Sequence, residues 1–169
     1  MKAPFDFYEN GFGYIRLENL KLNEELPDTI TVESDEMVKK PEFHISLVWV
    51  GRLAGMINED DQEVISVEMI KEFEKFIKKY SLTDYKLTRE LRLVRKGEQK
   101  TVIAMVSMPN LDIFFEKLSK KYDVNLPVQP THITLYTLPT DKIGIGILSF
   151  GELDTYSEPI NITELQSLL

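Results

Sequence analysis

The chain contains two histidines, and both begin nearly the same short motif. The first motif reads HISL from His44 and the second reads HITL from His132. A hydroxyl residue two places after each histidine and a leucine three places after it would coincide by chance on the order of once in ten thousand. The pattern therefore indicates an internal repeat.

Each motif lies in a segment that is typical of a β-strand, where successive side chains point to opposite faces. His44 should then share a face with Ser46, and His132 should share one with Thr134. The isoleucine and leucine of each motif should point into the core. If a pseudo-twofold axis relates the two halves, the two imidazole and hydroxyl pairs face each other across a groove.

Two imidazoles and two hydroxyls in one groove suit phosphoryl transfer. An in-line displacement at phosphorus needs one group to accept a proton from the attacking oxygen and another to donate one to the leaving oxygen. Imidazole serves in either state near neutral pH. The hydroxyls of Ser46 and Thr134 are suited to bind the non-bridging phosphate oxygens. We therefore expect His44 and His132 to be catalytic, with no metal and no cofactor.

Two other functions remain open at this point. The same groove could sequester a nucleotide without turning it over, or the two histidines could be ligands of a metal-dependent hydrolase. Activity that survives a chelator separates acid and base catalysis from metal catalysis.

Three further residues have both a functional and a structural interpretation. Tyr136 is predicted on the same face as His132 and could stack on a base, or it could be an ordinary strand tyrosine. Arg92 could reach the phosphate, although surface arginines are common. Trp49 is predicted on the face opposite His44 and is interpreted as a core residue.

Composition limits the class of protein. A chain of 169 residues is long enough for one domain, so we expect a single domain spanning residues 1–169 with one histidine motif in each of two lobes. The net charge of −8 argues against non-specific binding of long duplex nucleic acid, which depends on many Lys and Arg contacts. No apolar run is long enough to span a bilayer, and residues 1–10 lack a basic segment followed by an apolar one, so we expect a cytoplasmic protein that does not enter the membrane. A monomer is also expected.

Apolar periodicity predicts mixed secondary structure. Strands are expected at residues 11–17, 30–32, 43–50 and 131–138, a hairpin from 85–95 and 101–108, and a last strand from the apolar run 143–150. Helices are expected at residues 63–80, from 109 or 110 to 122, and over the end of the chain at 161–169. This order indicates an α+β protein built from two similar halves.

The motif segments FHISLVWVG, from Phe43, and PTHITL, from Pro130, resemble the two signatures of the two-histidine (2H) phosphoesterases. That family includes bacterial RNA 2',3'-cyclic phosphodiesterases, also called 2'-5' RNA ligase-like proteins. The resemblance implies a bilobal, pseudo-twofold α+β fold with two antiparallel sheets flanking a central groove and helices outside. By the same analogy, His44 would donate a proton to the leaving oxygen and His132 would activate water.

The resemblance covers the motif strands and the order of elements, whereas the first forty residues depart from the bacterial RNA enzymes. It implies a phosphoric diester hydrolase acting on cyclic or terminal phosphodiesters of nucleotides or short RNA. Family members act on 2',3'-cyclic ends, on 2'-5' linked oligoadenylate, on ADP-ribose cyclic phosphate, on 3' tails of small RNA and, in some phage proteins, on cyclic nucleotide signals. The substrate within this range stays open.

Overall fold

A computed structural model describes residues 5–7, 13–18, 20–138 and 144–169. The strands in chain order are β1 Phe5–Phe7, β2 Tyr14–Leu17, β3 Thr29–Val32, β4 Asp35–Lys39, β5 Ile45–Trp49, β6 Lys86–Lys96, β7 Gln99–Ser107, β8 His132–Leu138 and β9 Ser157–Ile160. The helices are α1 Val50–Ile57, α2 Gln62–Phe76, α3 Leu111–Tyr122, α4 Phe150–Tyr156 and α5 Thr163–Ser167. The α+β class is therefore confirmed.

Most of the predicted elements are present with small differences at their ends. The two motif strands are β5 and β8, and the hairpin is β6 and β7 with Gly97 at a φ of 62° in its turn. Helices α2, α3 and α5 correspond to the three predicted helices. The first two positions of the predicted strand 11–17 lie outside the described residues, and the rest of it contains β2.

The predicted last strand over residues 143–150 is wrong for its described part. Residues 144–148 have no regular secondary structure, and α4 begins at Phe150. A Cβ atom on Gly146 would lie 2.7 Å from the Tyr14 hydroxyl oxygen and 2.8 Å from the Trp49 ring. This close approach shows that the segment packs against side chains of the sheet instead of pairing with a strand.

The sheet is antiparallel, and all its strands are connected by hydrogen bonds in the order β1-β2-β5-β8-β7-β6-β9, with β4 beside β8 and β3 beside β4. The resemblance implied two separate sheets, whereas the described strands form one sheet. We call β1, β2 and β5 the first wing of the sheet, and β8, β7, β6 and β9 its second wing. The two wings meet where β5 contacts β8, and among the described residues one pair, Ile45 and Ile133, joins these two strands.

Both motif strands contain an irregularity at the same position. Two consecutive residues of β2 pair with Ser46 and Val48 of β5, so Leu47 is skipped. Two consecutive residues of β7 pair with Thr134 and Tyr136 of β8, so Leu135 is skipped. Leu47 and Leu135, the fourth residues of the two motifs, are thus the extra residues of two β-bulges. A bulge interrupts the alternation of faces, so the residues after it change sides.

The two faces of the sheet are covered differently. The larger core lies on one face, where the isoleucines and leucines of both motifs pack with aromatic residues of α2 and α3 such as Phe73 and Phe114. The other face holds a smaller apolar cluster, which includes Ile103, Ile145 and Ile147. Among the described residues, no helix is both long enough and apolar enough to cross a bilayer.

Candidate active site

The four predicted chemical groups of the two motifs lie together. His44, Ser46, His132 and Thr134 all line one cavity of about 300 Å³. This volume is at the small end of the range for ligand pockets. The structure therefore brings the side chains of both motifs to one cavity.

The register at the junction of the wings decides which groups are neighbours. Because Ile45 pairs with Ile133 in an antiparallel arrangement, residue 44 is set opposite residue 134 and residue 46 opposite residue 132. Residues directly opposite have Cβ atoms about 5 Å apart, whereas residues two apart on one strand are separated by about 7 Å. Each imidazole is therefore paired most closely with the hydroxyl of the other motif.

His44 lies in a partly buried and positively charged environment. Its pKa is lowered from 6.5 to about 4, first by burial and then by the positive charges of Arg16 and Lys40. The second imidazole, His132, adds a smaller contribution in the same direction. Without a bound anion, this ring is neutral at pH 7.

His132 is more deeply buried, with 7% of its surface exposed, yet it forms part of the cavity wall. Burial lowers its pKa to about 4, and a smaller effect of hydrogen bonding with the backbone of Pro130 opposes this shift. Its Nδ1 atom makes no hydrogen bond of ordinary geometry within the described part of the chain. A buried nitrogen of this kind carries a desolvation cost, which a ligand or a water could remove.

The prediction that Tyr136 shares a face with His132 and Thr134 is wrong, and Tyr136 does not line the cavity. Its side chain is fully buried in the larger core, and its hydroxyl donates to the backbone oxygen of Pro27 at 2.9 Å. The bulge at Leu135 is the reason, because it turns Tyr136 away from the face that Thr134 occupies.

Arg92, the other residue considered for substrate contact, does not line the cavity. Arg92 pairs through Ile103 with Thr134, so it lies two strands and about 10 Å from the second motif. Its Nε donates to the Ser157 hydroxyl at 2.7 Å, and its Nη1 donates to a Glu90 carboxylate oxygen at 2.9 Å. These contacts hold the guanidinium at the far edge of the sheet.

Trp49 differs in part from its interpretation as a core residue. It packs against the larger core but is only partly buried, and its ring stacks on Tyr14 with centroids 5.0 Å apart. Because of the bulge at Leu47, the Trp49 side chain lies on the same face of the sheet as Tyr14, which lines the cavity. The stack thus forms a support beside the cavity.

Sequence reasoning missed several cavity residues. Arg16 comes from β2, Lys40 follows β4, and Gln129 precedes β8; residues 144–147 close another side of the cavity. The alternation in β2 offered a signal for Arg16, since Ile15 and Leu17 are buried and Arg16 must point the other way.

Gln129 lies shortly before β8, the strand of the second motif, and its side chain bonds to the backbone of β5, the strand of the first motif. Its side-chain oxygen accepts a hydrogen bond from the Trp49 backbone N–H at 2.8 Å, and its amide nitrogen donates to the Ser46 carbonyl at 3.4 Å. Both contacts lie around the β5 bulge, where the regular ladder is interrupted. Gln129 therefore satisfies backbone groups that the bulge leaves unpaired.

The residues present do not form a complete metal site. Among the residues that the structure describes, no group of three or more His, Asp or Glu side chains is placed to hold a metal ion. Catalytic zinc sites use three protein ligands in most cases. The two imidazoles would need donors from outside this set.

Comparison of the chain with family models, with curated proteins and with solved structures finds no match.

Proposed function

We propose that this chain is a metal-independent phosphodiesterase of the 2H type, which hydrolyses cyclic or terminal phosphodiesters of nucleotides or short RNA. The observation that carries the proposal is the shared cavity of His44, Ser46, His132 and Thr134. The antiparallel pairing of Ile45 with Ile133 and the matching bulges of the two motif strands support the pseudo-twofold, bilobal relationship that the resemblance implies.

In the proposed reaction, a water oxygen attacks phosphorus in line with the leaving oxygen. His132 accepts a proton from the water as the new P–O bond forms, and His44 donates a proton to the leaving oxygen as the old P–O bond breaks. The hydroxyls of Ser46 and Thr134 donate to the non-bridging oxygens, where negative charge increases. The roles of the two imidazoles exchange for the reverse reaction.

The low pKa values of both imidazoles bear on this mechanism. One ring must be protonated, and the free cavity favours two neutral rings at pH 7. A phosphodiester brings a negative charge next to the rings, which raises their pKa values and favours one bound proton. We expect kcat to peak at a higher pH than kcat/KM, because the latter reports the free enzyme.

The low pKa values of the two imidazoles also favour a second candidate function, a module that binds a nucleotide without turnover. Two neutral imidazoles can donate N–H hydrogen bonds to an anion, but neither is a protonated imidazolium that could act as the general acid at pH 7. In that case the cavity would hold a nucleotide at neutral pH and release no product.

Hydrolysis of a substrate panel in the presence of a chelator tests the proposal. The panel contains 2',3'-cyclic nucleotides, 2'-5' and 3'-5' oligonucleotides and cyclic dinucleotides, each over pH 4 to 9. We expect turnover of at least one class by the wild type, and none by His44→Ala or by His132→Asn, which leaves less empty space than alanine. Ser46→Ala and Thr134→Val should each lower kcat by roughly 100-fold or more.

Ser107→Ala is the matched control, since Ser107 is exposed at the end of β7 and should have the wild-type rate. Binding of a panel member without product at any pH would favour the sequestering module. Loss of activity with chelator and recovery with added metal would instead identify a metal-dependent hydrolase.

A further inference from the structure

The cavity is positively charged in a chain whose net charge is −8. Arg16 and Lys40 both line it, and the described lining residues include no Asp or Glu. Two cations and no carboxylate in a small cavity favour an anionic ligand.

The two halves of the cavity differ at related positions. Arg16 pairs with Ser46 across β2 and β5, and the residue that pairs in the same way with Thr134 is Ile103. Ile103 packs with Ile145 and Ile147, which both line the cavity. The pseudo-symmetric site is therefore cationic beside the first motif and apolar beside the second.

The guanidinium of Arg16 is held in place by its neighbours. It lies over the Tyr14 ring, 5.4 Å from the centroid, and Tyr14 in turn stacks on Trp49. Glu18 approaches its Nη1 at 3.9 Å, and the side chain is 20% exposed. A guanidinium fixed on an aromatic face loses little conformational freedom when it binds a phosphate.

We propose that Arg16 is a phosphate ligand of this cavity and that Tyr14 is its positioning residue, so that the phosphate lies toward β2 and the uncharged nucleoside part lies toward Ile145 and Ile147. This rests on the proposed function for the identity of the ligand as a phosphoester. Guanidinium binds two phosphate oxygens at once through its planar pair of N–H groups, which an ammonium group cannot do.

Binding of inorganic phosphate tests the inference without any need for turnover. Affinity is measured by calorimetry, and the site is verified from the side-chain NMR signals of the two histidines. Arg16→Gln should weaken phosphate binding by at least about tenfold, and Arg16→Lys should restore part of the loss. Tyr14→Leu should also weaken binding, while Tyr14→Phe, which keeps the ring, should bind within about twofold of wild type.

Arg52→Gln is the matched control for loss of one positive charge. Arg52 lies over the far end of the same stack, 5.5 Å from the Trp49 ring, and is 49% exposed. It should bind phosphate within about twofold of wild type. An unchanged affinity in Arg16→Gln, or an equal loss in Arg52→Gln, overturns the assignment.

The outcomes also separate this inference from the proposed function. If no panel substrate is hydrolysed but Arg16→Gln loses phosphate, the phosphate ligand stands and the hydrolase proposal fails. If a substrate is hydrolysed and Arg16→Gln has the wild-type KM and phosphate affinity, the hydrolase stands and the ligand assignment fails.

Discussion

The pKa values of the two histidines provide the sharpest test of the site. Burial lowers both values from 6.5 to about 4. At pH 7 a histidine with pKa 4 is about 0.1% protonated, whereas an ordinary one is about a quarter protonated. For the buried His132 ring the shift corresponds to on the order of 3 kcal/mol, and for the partly exposed His44 ring to less, because solvent screens it.

The causes of the two shifts differ, and one substitution should separate them. The Arg16 charge contributes to the low pKa of His44 but is not a cause of the low pKa of His132. Arg16→Gln should therefore raise the pKa of His44 and leave that of His132 nearly unchanged. Addition of phosphate to the wild type should raise both, because a nearby anion favours the protonated ring.

Two-dimensional ¹H–¹³C NMR of the histidine Cε1–Hε1 groups measures this directly, since the chain contains two such groups and their signals can be assigned by substitution. The titration runs from pH 3.5 to 9 on wild type, Arg16→Gln and Arg52→Gln. A midpoint near 6.5 for either ring in the free wild type would refute the reasoning from burial. Equal shifts of both rings in Arg16→Gln would refute the local origin of the effect.

Three further results are expected. Because both folded pKa values lie below the unfolded value of 6.5, the folded chain binds fewer protons, so the free energy of unfolding should fall as the pH drops from 6.5 to about 4. The fall should be on the order of 3 kcal/mol for the buried His132 and smaller for the partly exposed His44. Urea denaturation should show a smaller fall in His44→Gln than in the wild type, and equal falls would contradict the shift. Gly146→Ala should destabilise by roughly 1 to 3 kcal/mol in the same assay, because its Cβ would lie 2.7 Å from the Tyr14 hydroxyl oxygen, whereas Gly151→Ala, whose nearest contact is 3.7 Å, should not destabilise. Gln129→Leu should cost roughly 1 to 3 kcal/mol by leaving the Trp49 N–H unpaired, and a stability equal to wild type would show that water replaces the bond.

Local patterns predicted the long strands and two of the three longer helices, but they did not predict the strands β1, β4 and β9 or the helices α1 and α4. The motif strands, the hairpin around Gly97 and helices α2 and α3 all follow from alternation, turn residues and apolar spacing. The repeat around His44 and His132 also predicted the residues that share the cavity, since both copies of the motif line it.

The errors come from features with no local signature. The bulge at Leu135 depends on pairing with β7, and it is this bulge that reverses the face of Tyr136. Arg16 reaches the cavity through the register of β2 on β5, a contact between distant parts of the chain. Residues 144–148 are apolar enough to resemble a strand, but they pack against Trp49 and Tyr14 instead.

The meeting of the wings at Ile45 and Ile133 has a mechanical consequence. Both histidines are the immediate neighbours of this pair, so they lie close to the point about which one wing could turn relative to the other. Displacement in a rotation grows with distance from the pivot. Twisting of the wings would therefore move the outer walls of the cavity, such as residues 144–147, much more than it would change the separation of the two rings. The opening of the cavity would then change in width while the distance between the two imidazoles stayed nearly constant.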